Sequence, residues 1–357
     1  VTCPVVVIGG SAGALEPLLH LVQGLEAGFP AALVVVIHMP PDQPSALAGI
    51  LERAGPLPAE QARDGLLTLP GRIYTAVPGH HLLLDGSRLK VSLGPRENHA
   101  RPSIDVLFRS AARGGPGTAG VLLSGGLDDG VSGLWAIRRS GGRALVQHPE
   151  EAESPEMPLN AVRQVDVHEI LRAAQLPAAL TTWAWERRAQ GTGDAGPGTT
   201  EPPSRQGWPN MNEDERRRLH TELQIAAGRD APELLGQAPL SPMTCPECHG
   251  VMVQITEGAT LRFRCHTGHA FTAGTLIAEL RRAAEESLWS GLRTLREKQF
   301  LLEHLGQQFS TTGQAAEAAA LRSELGRTAR CAATLRETLL GDHTCVASPS
   351  DLDRENG

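Results

Sequence analysis

The chain has 357 residues, more than one hydrophobic core normally fills, so two or three domains are expected. With 41% hydrophobic and 20% charged residues it has a soluble globular composition, and no apolar run approaches the roughly 18 to 20 residues of a spanning helix. The 33 basic against 40 acidic residues leave a net charge of −7, which offers no electrostatic footprint for nucleic acid.

Residues 1–4 carry no basic group, and the apolar run Val5–Ile8 is too short for a signal-peptide core, so a cytoplasmic chain is expected. Six cysteines occur, at positions 3, 245, 248, 265, 331 and 345. Three of them crowd into one short stretch, which points to a metal site rather than a disulfide framework.

Along the chain, Val5–Ile8, Ala32–Ile37, Gly120–Leu123 and Ala144–Gln147 are apolar runs bounded by glycines and followed by amphipathic stretches such as Leu15–Leu25. They predict buried strands in βαβ units, hence an α/β fold with a doubly wound, mostly parallel sheet over residues 1–187. Between them, Gly71–Val77 and His81–Leu93 predict an antiparallel hairpin, with turn chemistry at Asp85-Gly86. Residues 188–211 are rich in Gly, Pro, Thr and Ser and predict a flexible linker.

Asn212–Gly228 predicts a short helix with a charge block at Glu213–Arg218, within a segment 212–240. Residues 241–274 form a small Cys/His module. Over 275–342, Leu276, Leu280, Ala284, Leu288, Leu292, Leu295, Leu302, Leu305 and Phe309 recur at helical spacing, and Leu321, Leu325, Ala332, Leu335 and Leu339 repeat the pattern after a break at Thr311–Gly313. Two antiparallel helices follow, packed on each other or used for self-association or partner binding. The tail 343–357 is expected to be disordered.

Gly9-Gly10-Ser11-Ala12-Gly13 directly follows the first strand and satisfies Gly-x-Ser-x-Gly. A nucleophilic serine needs a sharp turn with its hydroxyl exposed, and backbone N–H groups at the next helix start suit an oxyanion; Gly10, Ala12 and Gly13 are candidates. A glycine-rich strand-to-helix turn also cradles dinucleotide phosphates. That reading requires Gly-x-Gly-x-x-Gly and an acid ending the second strand, where this chain has His38. A third strand-like run ends in Ser124-Gly-Gly-Leu-Asp128-Asp129-Gly130. Three triad residue types thus fall beyond three successive strands, at one sheet edge, with Asp128 as positional rival to Asp129 and Gly126 as a further oxyanion donor.

These blocks, together with Val36-Ile-His38-Met-Pro40, Arg101-Pro-Ser-Ile-Asp105-Val-Leu-Phe-Arg-Ser110, Gly141–Gln147 and Pro155–Ala161, resemble the catalytic domain of the chemotaxis receptor methylesterase family, CheB, over about residues 4–180. The resemblance implies Ser11 as nucleophile, His38 as general base and acid, and Asp129 as the carboxylate that orients it. It implies hydrolysis of glutamyl methyl esters on chemoreceptor helices to glutamate and methanol, and for some members glutamine deamidation. Another ester, or a degenerate scaffold binding signalling partners, are the competing readings. Arg101, Pro102 and Asp105 are expected to hold the hairpin.

The chain departs from the family's pattern at Ala12, where threonine is common, and at Gly126-Leu127, where Met-Gly is common. With the first strand only about four residues in, a stand-alone form without the phosphorylated receiver domain is expected. No cofactor is expected for the chemistry. Cys245-Pro-Glu-Cys248 and Cys265-His-Thr-Gly-His269 flank an apparent hairpin, and Cys245, Cys248, Cys265 and His269 suit a closed structural zinc. His249 and His266 are alternates, and a redox Cys pair is the competing reading. The module resembles small ribbon-like attachments of stand-alone CheB-like proteins.

Overall fold

The computed structural model describes residues 3–191, 211–229, 236 and 238–340. Linker positions 192–210 and the tail 341–357 lie outside the described residues. Two compact units are present, Val1–Leu276 and Ile277–Gly357.

In the first unit nine strands come before residue 180: β1 (Val5–Gly10), β2 (Ala32–Ile37), β3 (Ala59–Gln61), β4 (Ile73–Thr75), β5 (His81–Asp85), β6 (Arg88–Ser92), β7 (Thr118–Leu122), β8 (Arg143–Gln147) and β9 (Glu169–Leu171). Seven form a sheet in the order β3-β4-β2-β1-β7-β8-β9, with every pairing parallel. β5 and β6 pair by themselves as the antiparallel hairpin predicted at Asp85-Gly86. Gly71–Val77 departs from expectation. Its strand, Ile73–Thr75, is fully buried and joins the parallel sheet beside β2, because the apolar face it offers is covered there on both sides.

The same alternation sorts β1 and β2 between two apolar layers. Val5, Val7, Val34 and Val36 face one, built with α3 (Ile104–Ala111), α4 (Val131–Arg139), α5 (Glu156–Gln164) and α7 (Glu213–Ala226). Val6, Ile8, Leu33 and Val35 face the other, built with α1 (Leu15–Gln23), α2 (Leu47–Ala54) and α6 (Leu176–Gly191). Gly9 is required for the close seat of α3: a Cβ there would lie 2.1 Å from Ile104 Cγ2. From β1 the chain leaves toward β2 on one side and returns to β7 on the other, so the carboxyl end of β1 is a topological switch point, where open α/β sheets keep their crevice.

α7 starts with a capping box: Asn212 Oδ1 accepts from Glu215 N, and Glu215 accepts from Asn212 N. Its inner face joins the sheet's own core through Leu219, Leu223 and Ala226. A four-stranded antiparallel sheet follows, β10 (Leu240–Thr244), β11 (Val251–Glu257), β12 (Thr260–Cys265) and β13 (Ala270–Thr272). Its core is small: Cys245, Met252, Phe263, Cys265, Phe271 and Leu276.

Buried charge holds this sheet to the α/β body. Arg262 donates to Glu222 of α7 and to Glu257, while Arg264 donates to Glu222 and, at 2.6 Å, to Glu97, which also pairs with Arg109. Arg109, Arg262, Arg264, Glu97 and Glu222 are all at most 1% exposed. Desolvating five charges is tolerable only because each has several opposite partners.

The second unit contains α8 (Ala273–Thr311, from Ile277 onward) and α9 (Ala315–Leu340). They run antiparallel: Lys298 pairs with Glu324 at 2.8 Å, and Leu335 and Leu321 lie beside Gly291 and Gly306. The predicted stripe is not buried throughout. Leu292 and Leu302 are covered, whereas Leu280, Ala284 and Leu288 are exposed, since α8 has 39 residues against the 26 of α9. Among the described residues no helix is long and apolar enough to cross a membrane.

Candidate active site

Ser11 follows the last residue of β1, and its N–H donates to Ser124 O of the loop after β7 at 2.9 Å. The left-handed residue that turns the chain into α1 is Gly13, at φ 72°, not the serine. Gly125 lies against the serine as well; a Cβ there would approach Ser11 Cβ to 3.0 Å. His38 leaves β2 with its N–H bonded to Gly10 O at 3.1 Å, which seats it one residue across the sheet from Ser11. Among the described residues no hydrogen bond joins Ser11 Oγ to the imidazole, and such contacts are often long until substrate is bound.

The third residue is fixed more firmly. His38 Nε2 donates to Asp129 Oδ2 at 2.8 Å. That carboxylate also accepts from Ile104 N (2.7 Å), Ser103 Oγ (2.9 Å), Asn98 Nδ2 (3.0 Å) and Asp105 N (3.2 Å). It thus caps the N-terminus of α3, where the helix favours negative charge. Burial pushes the Asp129 carboxyl up, but the hydrogen bond and charge of His38, with the Asn98 and Ile104 bonds, outweigh it and leave it at about 2. The acceptor is therefore ionised and the shared proton sits on Nε2. In the neutral ring Nδ1 then carries the lone pair.

Asp105 is the counterpart. It bonds Gly133 N at 2.7 Å and Asn98 Nδ2 at 3.1 Å, and burial, then the neighbouring Asp129 charge, raise it to about 7. Asp128 points away from the imidazole and accepts from Thr272 and Thr275. Arg101 donates to Leu93 O and Gly94 O, at the end of the hairpin.

Of the sequence-predicted oxyanion groups, Gly10 is a ladder residue paired with Ile37. The N–H groups of Ala12, Gly13 and Gly126 meet no acceptor among the described residues. Leu127 N is taken by Glu156 at 3.0 Å, and Leu127 itself stands at φ 59° with its side chain 41% exposed. A left-handed leucine is uncommon. The apolar side chain of this loop thus stands at position 127, on the exposed residue. A cavity of about 420 Å³ opens beside His38, lined also by Met39, Arg96, Asn98, His99 and Arg101.

The model of the CheB methylesterase family matches residues 6–180. Those residues belong to the CheB methylesterase catalytic-domain family. The chain is 37% identical over 183 residues to a protein-glutamate methylesterase/protein-glutamine glutaminase of Anaeromyxobacter dehalogenans, covering 50% of this chain and 52% of that protein. It is 34% identical over 176 residues to the protein of that name from Escherichia coli K12, covering 48% and 50%. The chain therefore spans about half the length of these curated relatives. Among solved structures, the Thermotoga maritima CheB methylesterase catalytic domain is 29% identical, with 51% of this chain and 99% of that chain covered and a TM-score of 0.49.

Beyond the CheB domain, Cys245, Cys248, Cys265 and His269 place their ligand atoms within 4.8 Å of one another, the one such cluster found among the described residues. Cys248 and Cys265 Sγ are 3.6 Å apart, and His269 Nδ1 is 3.6 and 3.7 Å from the sulfurs of Cys265 and Cys245. Tetrahedral Zn–S bonds of about 2.3 Å would give edges of about 3.8 Å, so the donor set fits. A disulfide does not, since it needs about 2.05 Å. His269 Nε2 faces Glu247 at 3.2 Å, the carboxylate partner that a metal-bound imidazole commonly has. The hydrogen bond between Cys245 and Cys265 pushes the Cys265 thiol down and the Cys245 thiol up, whereas metal binding requires both as thiolates. His249 and His266 are outside the cluster.

Proposed function

We propose that the chain is a protein-glutamate methylesterase that hydrolyses glutamyl methyl esters on chemoreceptor helices through Ser11, His38 and Asp129. The observation that carries this reading is the His38–Asp129 hydrogen bond, which stands next to Ser11 at the switch point of a CheB-family domain. The ester substrate follows the names of the relatives, and the chemoreceptor partner follows from membership of the CheB family.

In the reaction, Ser11 Oγ attacks the ester carbonyl while His38 Nδ1 takes its proton. Asp129, bonded at Nε2, stabilises the imidazolium that forms. The N–H groups of Ala12, Gly13 and Gly126 receive the oxyanion; loss of one such donor typically costs about 10²- to 10³-fold in rate. His38 then protonates the departing methoxide, giving methanol and a glutamyl-Ser11 ester. Water, deprotonated by His38, cleaves that ester to glutamate and free serine. A glutaminyl amide taking the same route would release ammonia.

Cys245, Cys248, Cys265 and His269 hold a structural zinc in this reading. Four protein ligands leave no open position, so the metal stabilises the small sheet and takes no part in ester cleavage. Location in the cytoplasm, where chemoreceptor signalling helices lie, belongs to the same proposal.

A fluorophosphonate probe tests the nucleophile. Mass mapping is expected to find one adduct, on Ser11, lost in Ser11→Ala. Labelling elsewhere, or none, would remove the assignment.

A further inference from the structure

We propose that the Cys/His module is a working part of the esterase site, and that Asn98 and Thr272 are positioning residues that aim Asp129 at His38. The proposal rests on the triad reading and extends it.

Of the five donors that hold the Asp129 carboxylate, three (Ser103 Oγ and the N–H groups of Ile104 and Asp105) come from the start of α3, and His38 comes from the sheet. The fifth is Asn98, and its own orientation is set by the module. Asn98 Oδ1 accepts from Thr272 N at 2.9 Å, and Asn98 N donates to Ala270 O at 2.8 Å. A carboxamide has one oxygen and one NH₂, so anchoring the oxygen on Thr272 obliges the NH₂ to face Asp129 and Asp105. Asn98 stands at φ 52°, which asparagine tolerates better than most residues.

A second grip acts on the neighbouring residue. Thr272 Oγ1 and Thr275 Oγ1, at the start of α8, both donate to Asp128 Oδ1. Asp128 and Asp129 are consecutive, so their loop is held by α3 on one side and by the module on the other. The segment carrying Asn98 is also tied to the module by an isolated β-bridge: Glu97 bridges Ala270 in parallel, Ala270 N donates to Arg96 O, and Glu97 pairs with Arg264. β13, which supplies Ala270 and Thr272 to these contacts, begins at the residue after His269, and Cys265 N donates to His269 O across the connecting turn. The register of Thr272 is therefore fixed by the turn that closes the Cys/His cluster.

Hydrogen bonds to a charged group are worth more than neutral ones, and a displaced reacting group can cost up to about 10²-fold in rate. The test is the kinetics of Ser11 labelling by a fluorophosphonate in the full chain, separating the maximal rate kinact from the binding constant KI. Asn98→Gly keeps the left-handed backbone and removes the carboxamide. Thr272→Val removes the hydroxyl and keeps the shape.

Each is expected to lower kinact by about 10- to 100-fold with KI and metal content unchanged. Thr272→Ser, which restores the hydroxyl, is expected to return most of the rate. Wild-type kinact in Asn98→Gly, or Thr272→Ser no better than Thr272→Val, would overturn the proposal. A wild-type chain that takes no label at Ser11 would instead fail the triad reading, and this inference with it.

Discussion

His38 presents Nε2, not Nδ1, to Asp129, at 2.8 Å. In the proposed mechanism the ring nitrogen left for the Ser11 proton is therefore Nδ1, because the ionised Asp129 carboxylate can only accept at Nε2. Asp129→Asn would put an amide there that can offer NH₂ to Nε2 and stabilise the wrong tautomer. Turnover is expected to fall by about 10⁴-fold with the fold intact. Asp128→Asn still offers an oxygen to Thr272 and Thr275 and is expected to stay within about tenfold of wild type. Ester hydrolysis by the two variants, measured side by side, checks which aspartate serves the histidine.

The two carboxyls at the start of α3 give the stability a defined pH dependence. Asp129 is lowered to about 2, so its contribution is present above the unfolded value of about 3.9 and is lost as pH falls through 2. Asp105 is raised to about 7, so its contribution is full below about 3.9 and is lost as pH rises through 7. Urea midpoints of the wild type are expected to carry a decline from this group between about pH 4 and about pH 7. Asp105→Asn should flatten that decline, and an unchanged slope would show that the Asp105 proton is not its source.

Glu222 faces Arg262 and Arg264 in a buried site. Glu222→Ala leaves Arg262 to Glu257 and Glu97, and Arg264 to Glu97 alone, and is expected to cost about 3–5 kcal/mol in chemical denaturation, the usual consequence of breaking a buried pair from one side. A surface variant such as Glu213→Ala should change stability by less than about 0.5 kcal/mol.

For the Cys/His cluster, metal analysis is expected to find about one zinc per chain, as four ligands around one ion require. Cys245→Ser should lose it and lower the melting temperature, because a core of six residues holds the small sheet poorly unaided. Full metal content in that variant would displace Cys245 as a ligand.

The sequence made the CheB domain legible where function is local. The turn at Ser11, the histidine ending β2 and the aspartate after β7 each announce themselves by strand ends and glycines, and topology alone brings them to one edge. The Cys/His cluster is legible for the same reason, as two short pairs. What sequence reading missed depends on contacts between distant segments: Asn98 with Thr272, 174 positions apart, and Arg264 with Glu97, 167 apart. Arg262 and Arg264 look like solvated strand residues until Glu222 and Glu97 are packed over them. On α7 the charge block Glu213–Arg218 is the conspicuous feature of the sequence, yet the residue that pairs with the small sheet is the solitary Glu222. Ile73–Thr75 was too short for its periodicity to distinguish a sheet strand from a hairpin arm.

The most direct test of the account follows the methyl group. A chemoreceptor cytoplasmic fragment carrying radiolabelled glutamyl methyl esters is incubated with the wild-type chain or with Ser11→Ala, and volatile methanol is counted. Release by the wild type and none above background by Ser11→Ala is the predicted result. Equal release by both, or no release by a wild-type chain that fluorophosphonate labels at Ser11, would contradict the proposed methylesterase function.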